Sequence, residues 1–261
     1  MTQSLRTVAA TRYVTPLREG GSLPAIIEAD DDGMYVLKFR GAGHGAKALI
    51  ADLIGGEIAR AAELPTPEIV FAELDIDLAR TEPDPEIQDL IRASGGLNLA
   101  FDFLPGAVTF DPVAEKPDPE FAASVVWLDA FLTNIDRTAR NANMLVWHGQ
   151  TWLIDHGAAL YFHHTWDNYK EKSRDPFPMI ADHVLLPYAD RLEAVDAKMT
   201  TRIAPAIEKI IALIPDAWLT GEPRFAGIDQ HRNAYREYLG KRLEGPRPFL
   251  EEAIRARTQH V

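Results

Sequence analysis

The spacing of apolar residues divides the chain into a strand-rich first part and a helix-rich remainder. Pro24–Glu28 (PAIIE) and Met34–Phe39 (MYVLKF) are apolar runs of strand length separated by Asp30-Asp31-Asp32-Gly33. Glycine after aspartate suits a tight turn, so the two runs predict a hairpin and the aspartates a solvated turn. From Ala46 to Leu64 apolar residues recur at helical intervals, and Leu64-Pro65-Thr66-Pro67 ends the helix because proline resists its continuation. Glu68–Leu74 predicts a strand, and residues 80–96 a loop with a short helical piece. Leu97–Gly106 (LNLAFDFLPG) predicts a strand running into a Pro-Gly break, which sets an expected lobe boundary at about residue 104. After Pro119, placed to open a helix, the pattern is mainly helical, interrupted by one hairpin and by Pro187, Pro215 and Glu244–Pro248.

That later hairpin changes the picture from architecture to chemistry. NMLVW and TWLID flank His148-Gly149-Gln150. Pairing Trp147 with Thr151 sets Met144 opposite Ile154 and Asn143 opposite Asp155, with Asn141 at the open end beside Asp155-His156-Gly157. Paired strands hold such neighbours about 5 Å apart. An amide oxygen and a carboxylate together suit a hard cation, and magnesium takes few protein oxygens, leaving the rest of its shell to water or phosphate. Asp136 precedes Asn141 by five residues. That offset matches the D-x-x-x-x-N loop of protein kinases, in which Asp orients the attacking hydroxyl and Asn holds a metal; Asp155-His156-Gly157 then stands where D-F-G stands. Singly, each residue reads as a turn cap or a hairpin closure. Jointly they point to a metal-phosphate site.

A phosphate site also needs cations and N–H donors. Lys38 falls late in its strand, placed to hold phosphates. In the next helix Ile50, Ile54, Glu57 and Ala61 share one face, so Glu57 is a carboxylate on an apolar stripe and the expected partner of Lys38, whereas Asp52 and Glu63 read as solvated. Gly20-Gly21-Ser22 is a reduced glycine-rich loop that suits phosphate. Gly41, Gly43 and Ala46 fit a G-x-G-x-x-A dinucleotide fingerprint, the basis of an alternative oxidoreductase reading. Against it, the preceding strand belongs to a hairpin, and Asp136, Asn141 and Asp155 go unused. Arg137 and Arg140 flank the proposed base and suit either phosphate or neighbouring acids. Asp129, mid-helix beside Trp127 and Leu128, reads as solvated or structural. The histidines at 148, 156, 163 and 164 lack the i, i+4 spacing of a helical zinc pair, and Asp182–Val195 carries no chemical signal of its own.

Composition narrows the field. The 261 residues suit one large domain or two lobes, and 46% hydrophobic content supports a core. No cysteine is present, which excludes disulfides and cysteine nucleophiles and fits a cytoplasmic setting. A net charge of −12 argues against nucleic acid as a partner. No apolar run is long enough to span a bilayer, and the N-terminus lacks the apolar core of a signal peptide.

NIDRTARN and IDHG, with the lysine of YVLKF, resemble the HipA-like kinases, which share their fold with protein kinases and, more distantly, phosphoinositide kinases. The resemblance runs from about Thr15 to about Asp190 and matches the short, stand-alone branch; the chain has no room for the additional N-terminal subdomain of HipA proteins themselves. Where many relatives have His after Asp-Arg, this chain has Thr138. The resemblance implies a two-lobed α+β fold, with an antiparallel-sheet N-lobe over residues 1–104 and a helical C-lobe over 105–261. It implies Asp136 as catalytic base, Asn141 and Asp155 as magnesium ligands and Lys38 as the phosphate lysine. The strand Leu99–Leu104, through Phe101, Asp102 and Phe103, becomes the hinge that offers backbone groups to adenine. Family members transfer a phosphoryl group from ATP to protein serines, some to a serine of their own phosphate loop, here Ser22. A pseudokinase that binds nucleotide with little turnover is a second reading of the same residues, and within the kinase reading a small-molecule or lipid hydroxyl stays open as the acceptor.

Overall fold

The computed structural model describes residues 5–17 and 23–260. Its first part is a closed five-stranded barrel. Strands β1 (Thr7–Pro16), β2 (Ala25–Ala29) and β3 (Met34–Lys38) precede helix α1 (Ala46–Ala61) and strand β4 (Ile69–Leu74). Helix α2 (Pro85–Ala93) then leads into β5 (Gly96–Asp102). The strand order is β1-β2-β3-β5-β4, and β4 closes onto β1.

The expected hairpin of β2 and β3 is present, with Ile27 opposite Tyr35. Closure departs from the antiparallel expectation, because β1 runs parallel to β4, with Thr7 opposite Phe71. Strand β1 had no counterpart among the expected elements. Its alternation of buried Val8 and Ala10 with exposed neighbours is a strand signal, but two register irregularities, at Ala10/Arg12 and Tyr13/Thr15, break the period. Val8, Ile27, Tyr35, Leu37, Val70 and Ala100 belong to the barrel's own core.

The dinucleotide alternative fails on this topology. β3 and β4, on either side of α1, are not neighbours, since β5 lies between them, so no adjacent βαβ unit exists there. The glycines of GAGHGA shape a loop instead. Gly43 (φ 48°) and Gly45 (φ 63°) take left-handed conformations that glycine adopts without strain.

After the short strand β6 (Val108–Thr109), helix α3 (Pro119–Leu132) forms the centre of the second part. Asp118 caps it by accepting from the Phe121 N–H at 2.9 Å, and Pro119 occupies the first turn. Every residue from Ala122 to Leu132 is buried. β7 (Met144–Trp147) and β8 (Gln150–Leu153) form the expected hairpin and join β6 in a small sheet. Helices α4 (Tyr169–Lys172), α5 (Leu192–Ile203), α6 (Ile207–Ala212), α7 (Asp216–Leu219), α8 (Ile228–Leu243) and α9 (Pro248–His260) complete the chain. Leu99, Phe101 and Ile69 on the barrel's outer face share one core with α1 and α3. Among the described residues no helix is long and apolar enough to cross a membrane.

Candidate active site

The β7–β8 register is one residue tighter than expected. Trp147 pairs with Gln150 and Met144 with Leu153, because the turn is His148-Gly149 alone, with φ of 49° and 73°. Two successive positive φ angles make a two-residue hairpin turn. Asn143 therefore stands opposite Ile154, whose N–H it accepts at 3.0 Å, and not opposite Asp155. Asp155 itself takes a left-handed backbone (φ 53°) just past the strand end.

That turn places Asp155 against the lysine. Lys38 Nζ lies 2.8 Å from Asp155 Oδ1 and 3.8 Å from Asp52 Oδ2. The lysine's partner on α1 is thus Asp52, not Glu57. Glu57 points elsewhere, with Arg60 at 3.6 Å as its nearest cation. The apolar-stripe logic failed because α1 is buried on most of its circumference, Leu49–Gly56 without a break. Five residues of offset turn Asp52 and Glu57 about 140° apart on the helix. Asp52, expected in solvent, is 2% exposed, and its Oδ1 accepts the His156 N–H at 2.7 Å. Gly55, one turn further on, lets His156 approach. A Cβ there would sit 2.5 Å from the His156 Cβ.

The charges in this group are unequal in number. Burial pulls the Lys38 ammonium down, but Asp52, then Asp155 and Asp136, outweigh it and leave the ammonium up. Burial raises Asp52 to about 7, with Lys38 opposing and Asp155 adding to the rise. Asp155 is held below the usual carboxylate range, since Lys38 more than offsets its burial.

Asp136 and Asn141 meet as their spacing implied. Asn141 Nδ2 donates to Asp136 Oδ2 at 2.8 Å across a turn closed by Thr138 and Asn141. Asn143 Nδ2 donates to the same oxygen at 3.2 Å. Behind the turn stands a buried scaffold. Arg137 and Asp129 are fully buried and paired at 2.5 Å. Asp129 also accepts from Asn134 Nδ2 (2.9 Å) and from His183 Nε2 (3.0 Å). His183 Nδ1 accepts the Leu185 N–H, so its proton is on Nε2. Arg137 further donates to the carbonyls of Asn143 and Ile154, and its Nη2 lies 3.4 Å from His156 Nδ1. Burial would raise the Asp129 carboxyl, but Arg137 and His183 hold it well below its usual range. Burial, and then Arg137, push His156 down to about 3, so it is neutral.

Asp129 is therefore structural and anything but solvated, and Arg137 spends its guanidinium inside the protein. His183 lies in a stretch without chemical signal by sequence. Asp129 had one, a carboxylate inside the apolar run VVWLDAFL, which a buried helix tolerates only with partners.

The proposed hinge is narrower than expected. The Asp102 N–H donates to Glu68 O (2.8 Å) and the Phe103 N–H to Met34 O (3.0 Å). These residues can offer a base their carbonyls but not their N–H groups. Phe101 packs its side chain into the main core. Gly20, Gly21 and Ser22 lie outside the described residues.

For a divalent cation, Asp155 Oδ2 and Asn141 Oδ1 are oxygens with no hydrogen bond among the described residues, both on partly or fully exposed side chains. Hard oxygen donors of this kind fit magnesium or a similar ion.

A barrel-strand lysine held by a helix carboxylate, facing an Asp-x-x-x-x-Asn turn and an aspartate at a hairpin's end, is kinase architecture. The profile of the HipA-like kinase family matches residues 11–245, and the chain belongs to that family; it is a kinase. No curated protein matches its sequence. Among solved structures, the Helicobacter pylori proinflammatory kinase CtkA is similar, with a TM-score of 0.54 and 14% identity over 96% of this chain and 97% of that one. The Golgi casein kinase with Mn/ADP bound aligns at a TM-score of 0.49 and 10% identity, over 97% of this chain and 73% of that one. At 14% identity the likeness to CtkA speaks for the fold alone.

Proposed function

We propose that this kinase transfers the γ-phosphoryl group of ATP, with magnesium, to the hydroxyl of a protein serine or threonine. The observation that carries the reading is Lys38, which is 8% exposed, sits between Asp52 and Asp155 and feels the charge of Asp136. A buried ammonium with surplus carboxylates around it is positioned to meet phosphate oxygens and a cation together.

In this reading residues up to about 104 hold the nucleotide and residues from about 105 present the catalytic loop. The nucleotide lies between them, with base contacts from the carbonyls of Asp102 and Phe103. Asn141 and Asp155 hold the metal, which neutralises phosphate charge when bound. Lys38, steadied by Asp52, orients the phosphates. Asp136 aligns the acceptor hydroxyl and receives its proton as the acceptor oxygen bonds to the γ-phosphorus. The bond from that phosphorus to the β–γ bridging oxygen breaks, and ADP leaves with the electron pair. Dependence on ATP and the cysteine-free sequence suit the cytoplasm.

Two measurements test it. Magnesium with ATP raises the melting temperature, because a ligand that binds only the folded form stabilises it. Phosphoproteomes of cells expressing wild type or Asp155→Ala then differ at serine or threonine sites. A melting shift with NAD but none with Mg·ATP overturns the nucleotide assignment. A Mg·ATP shift with identical phosphoproteomes overturns the protein acceptor.

A further inference from the structure

Two asparagines reach Asp136, and the sequence motif accounts for one of them. Asn141 is exposed, and in the proposed reaction its amide oxygen serves the metal. Asn143 is 8% exposed and fixed through its backbone. Its carbonyl accepts from Arg137 and from the Ile154 N–H at 3.0 Å, which ties it to the buried Arg137–Asp129 pair and to the hairpin at once. Its side-chain amide donates to Asp136 twice, to the carbonyl (3.4 Å) and to Oδ2 (3.2 Å). Among the described residues nothing hydrogen-bonds Oδ1.

We infer that Asn143 is the positioning residue for Asp136: it anchors Oδ2 and thereby turns Oδ1 toward the acceptor hydroxyl. The inference rests on the reading of Asp136 as the base. Backbone conformation supports it. Asn143 has φ 47°, where Gly, Asn and Asp are the residues that settle readily. Of those three, asparagine alone brings a side-chain N–H donor. A donor on a fixed backbone also loses little conformational freedom when it binds, unlike one on an exposed turn. Asn141 is then free to serve the metal without releasing Asp136.

The test is ADP formation from Mg·ATP by the full chain, for wild type, Asp136→Ala, Asn143→Gly and Asn143→Asp. Glycine removes the amide while accepting the left-handed backbone, so strain does not confuse the result. Asn143→Gly is expected to lower kcat about tenfold, the worth of one hydrogen bond to a charged group, with KM for Mg·ATP within about twofold of wild type. Asn143→Asp keeps the shape and the backbone but supplies no N–H donor, so its kcat falls at least as far as that of Asn143→Gly. A role in folding alone would lower the fraction of active enzyme and leave kcat per Mg·ATP-binding site at the wild-type value. Asn143→Gly turning over within about twofold of wild type per Mg·ATP-binding site, loss of its Mg·ATP melting shift, or an Asn143→Asp variant as fast as wild type overturns the inference alone. A wild type no faster than Asp136→Ala overturns the phosphotransfer reading and this inference with it.

Discussion

Two buried charge clusters lie on either side of the His156 segment, and they are built on opposite principles. Around Asp129 the accounts close: one carboxylate faces Arg137, accepts from Asn134 and His183, and is fully sealed. Around Lys38 they do not. Two carboxylates face one ammonium, and one of them, Asp155, has a side chain 37% exposed. The first cluster braces the Asp136–Asn141 turn and has no capacity left for a ligand. The second keeps a surplus carboxylate open to solvent, which phosphate and cation complete in the proposed reaction. A paired, saturated buried ion is a structural device, whereas an unbalanced one open on one side is where chemistry is to be sought.

The contrast is broken most forcefully from the structural side. Asp129→Ala leaves Arg137 buried without its counter-ion, and the expected loss is about 3–5 kcal/mol of stability, read by urea unfolding. From the other side, Asp155→Ala leaves Lys38 with Asp52, one charge against one. Stability then changes by less than about 1 kcal/mol, while phosphoryl transfer falls about 10²-fold or more. Equal stability losses in the two variants would dissolve the distinction between the clusters.

The junction between the clusters gives a smaller effect. A methyl group at Gly55 meets the His156 Cβ at 2.5 Å. Gly55→Ala therefore costs about 1–3 kcal/mol by overpacking. It also moves the His156 N–H off Asp52, so activity falls more than the melting temperature alone explains. Activity unchanged after a measured loss of stability would show that His156 does not transmit position to Lys38.

The unbalanced cluster also has a pH signature. Asp52 is raised to about 7 in the folded protein, against 3.8 for the free side chain. Between these values the folded state holds the extra proton, so Asp52 contributes stability below about pH 4 that is lost as pH rises toward 7. His156, lowered to about 3, slopes the opposite way, since the unfolded state is the protonated one up to about pH 6.5. Comparing wild type with Asp52→Asn by denaturant unfolding isolates the first slope. The stability of wild type relative to the variant should fall from pH 4 to pH 7; a difference that rises would refute the assignment.

The loop spacing from Asp136 to Asn141, the β7–β8 hairpin and the lysine strand were legible in the sequence because each rests on local geometry. Asp136 meets Asn141 across a turn their spacing dictates. What escaped was non-local or periodic only on average. Strand β1 hides behind two register irregularities, and its parallel pairing with β4 depends on residues some sixty positions away. Asp52 escaped because helical periodicity identifies an apolar face only when another face is wet, and α1 has little wet face. The hairpin register slipped by one because a histidine at φ 49° occupies a turn position that favours Gly, Asn or Asp.

Glu57 supplies the finest test of that lesson. Its carboxyl is raised by burial, with Arg60 opposing only in part, and its Oε1 has no hydrogen-bond partner. A buried oxygen that makes no hydrogen bond gives up little when its charge is removed. Glu57→Gln should therefore leave stability within about 0.5 kcal/mol and phosphoryl transfer within about twofold of wild type. Asp52→Asn, by contrast, takes away one of the two charges that orient Lys38 and slows transfer. Parallel rate measurements on the two variants decide between the two acids of α1, which sequence periodicity ranked in the opposite order. If Glu57→Gln were the slower enzyme, Lys38 would have to change partners during turnover, and α1 would have to rotate about its own axis inside a packed core. Such a rotation would displace Gly55 from His156, so it would also appear as a change in the chemical environment of that ring on nucleotide binding.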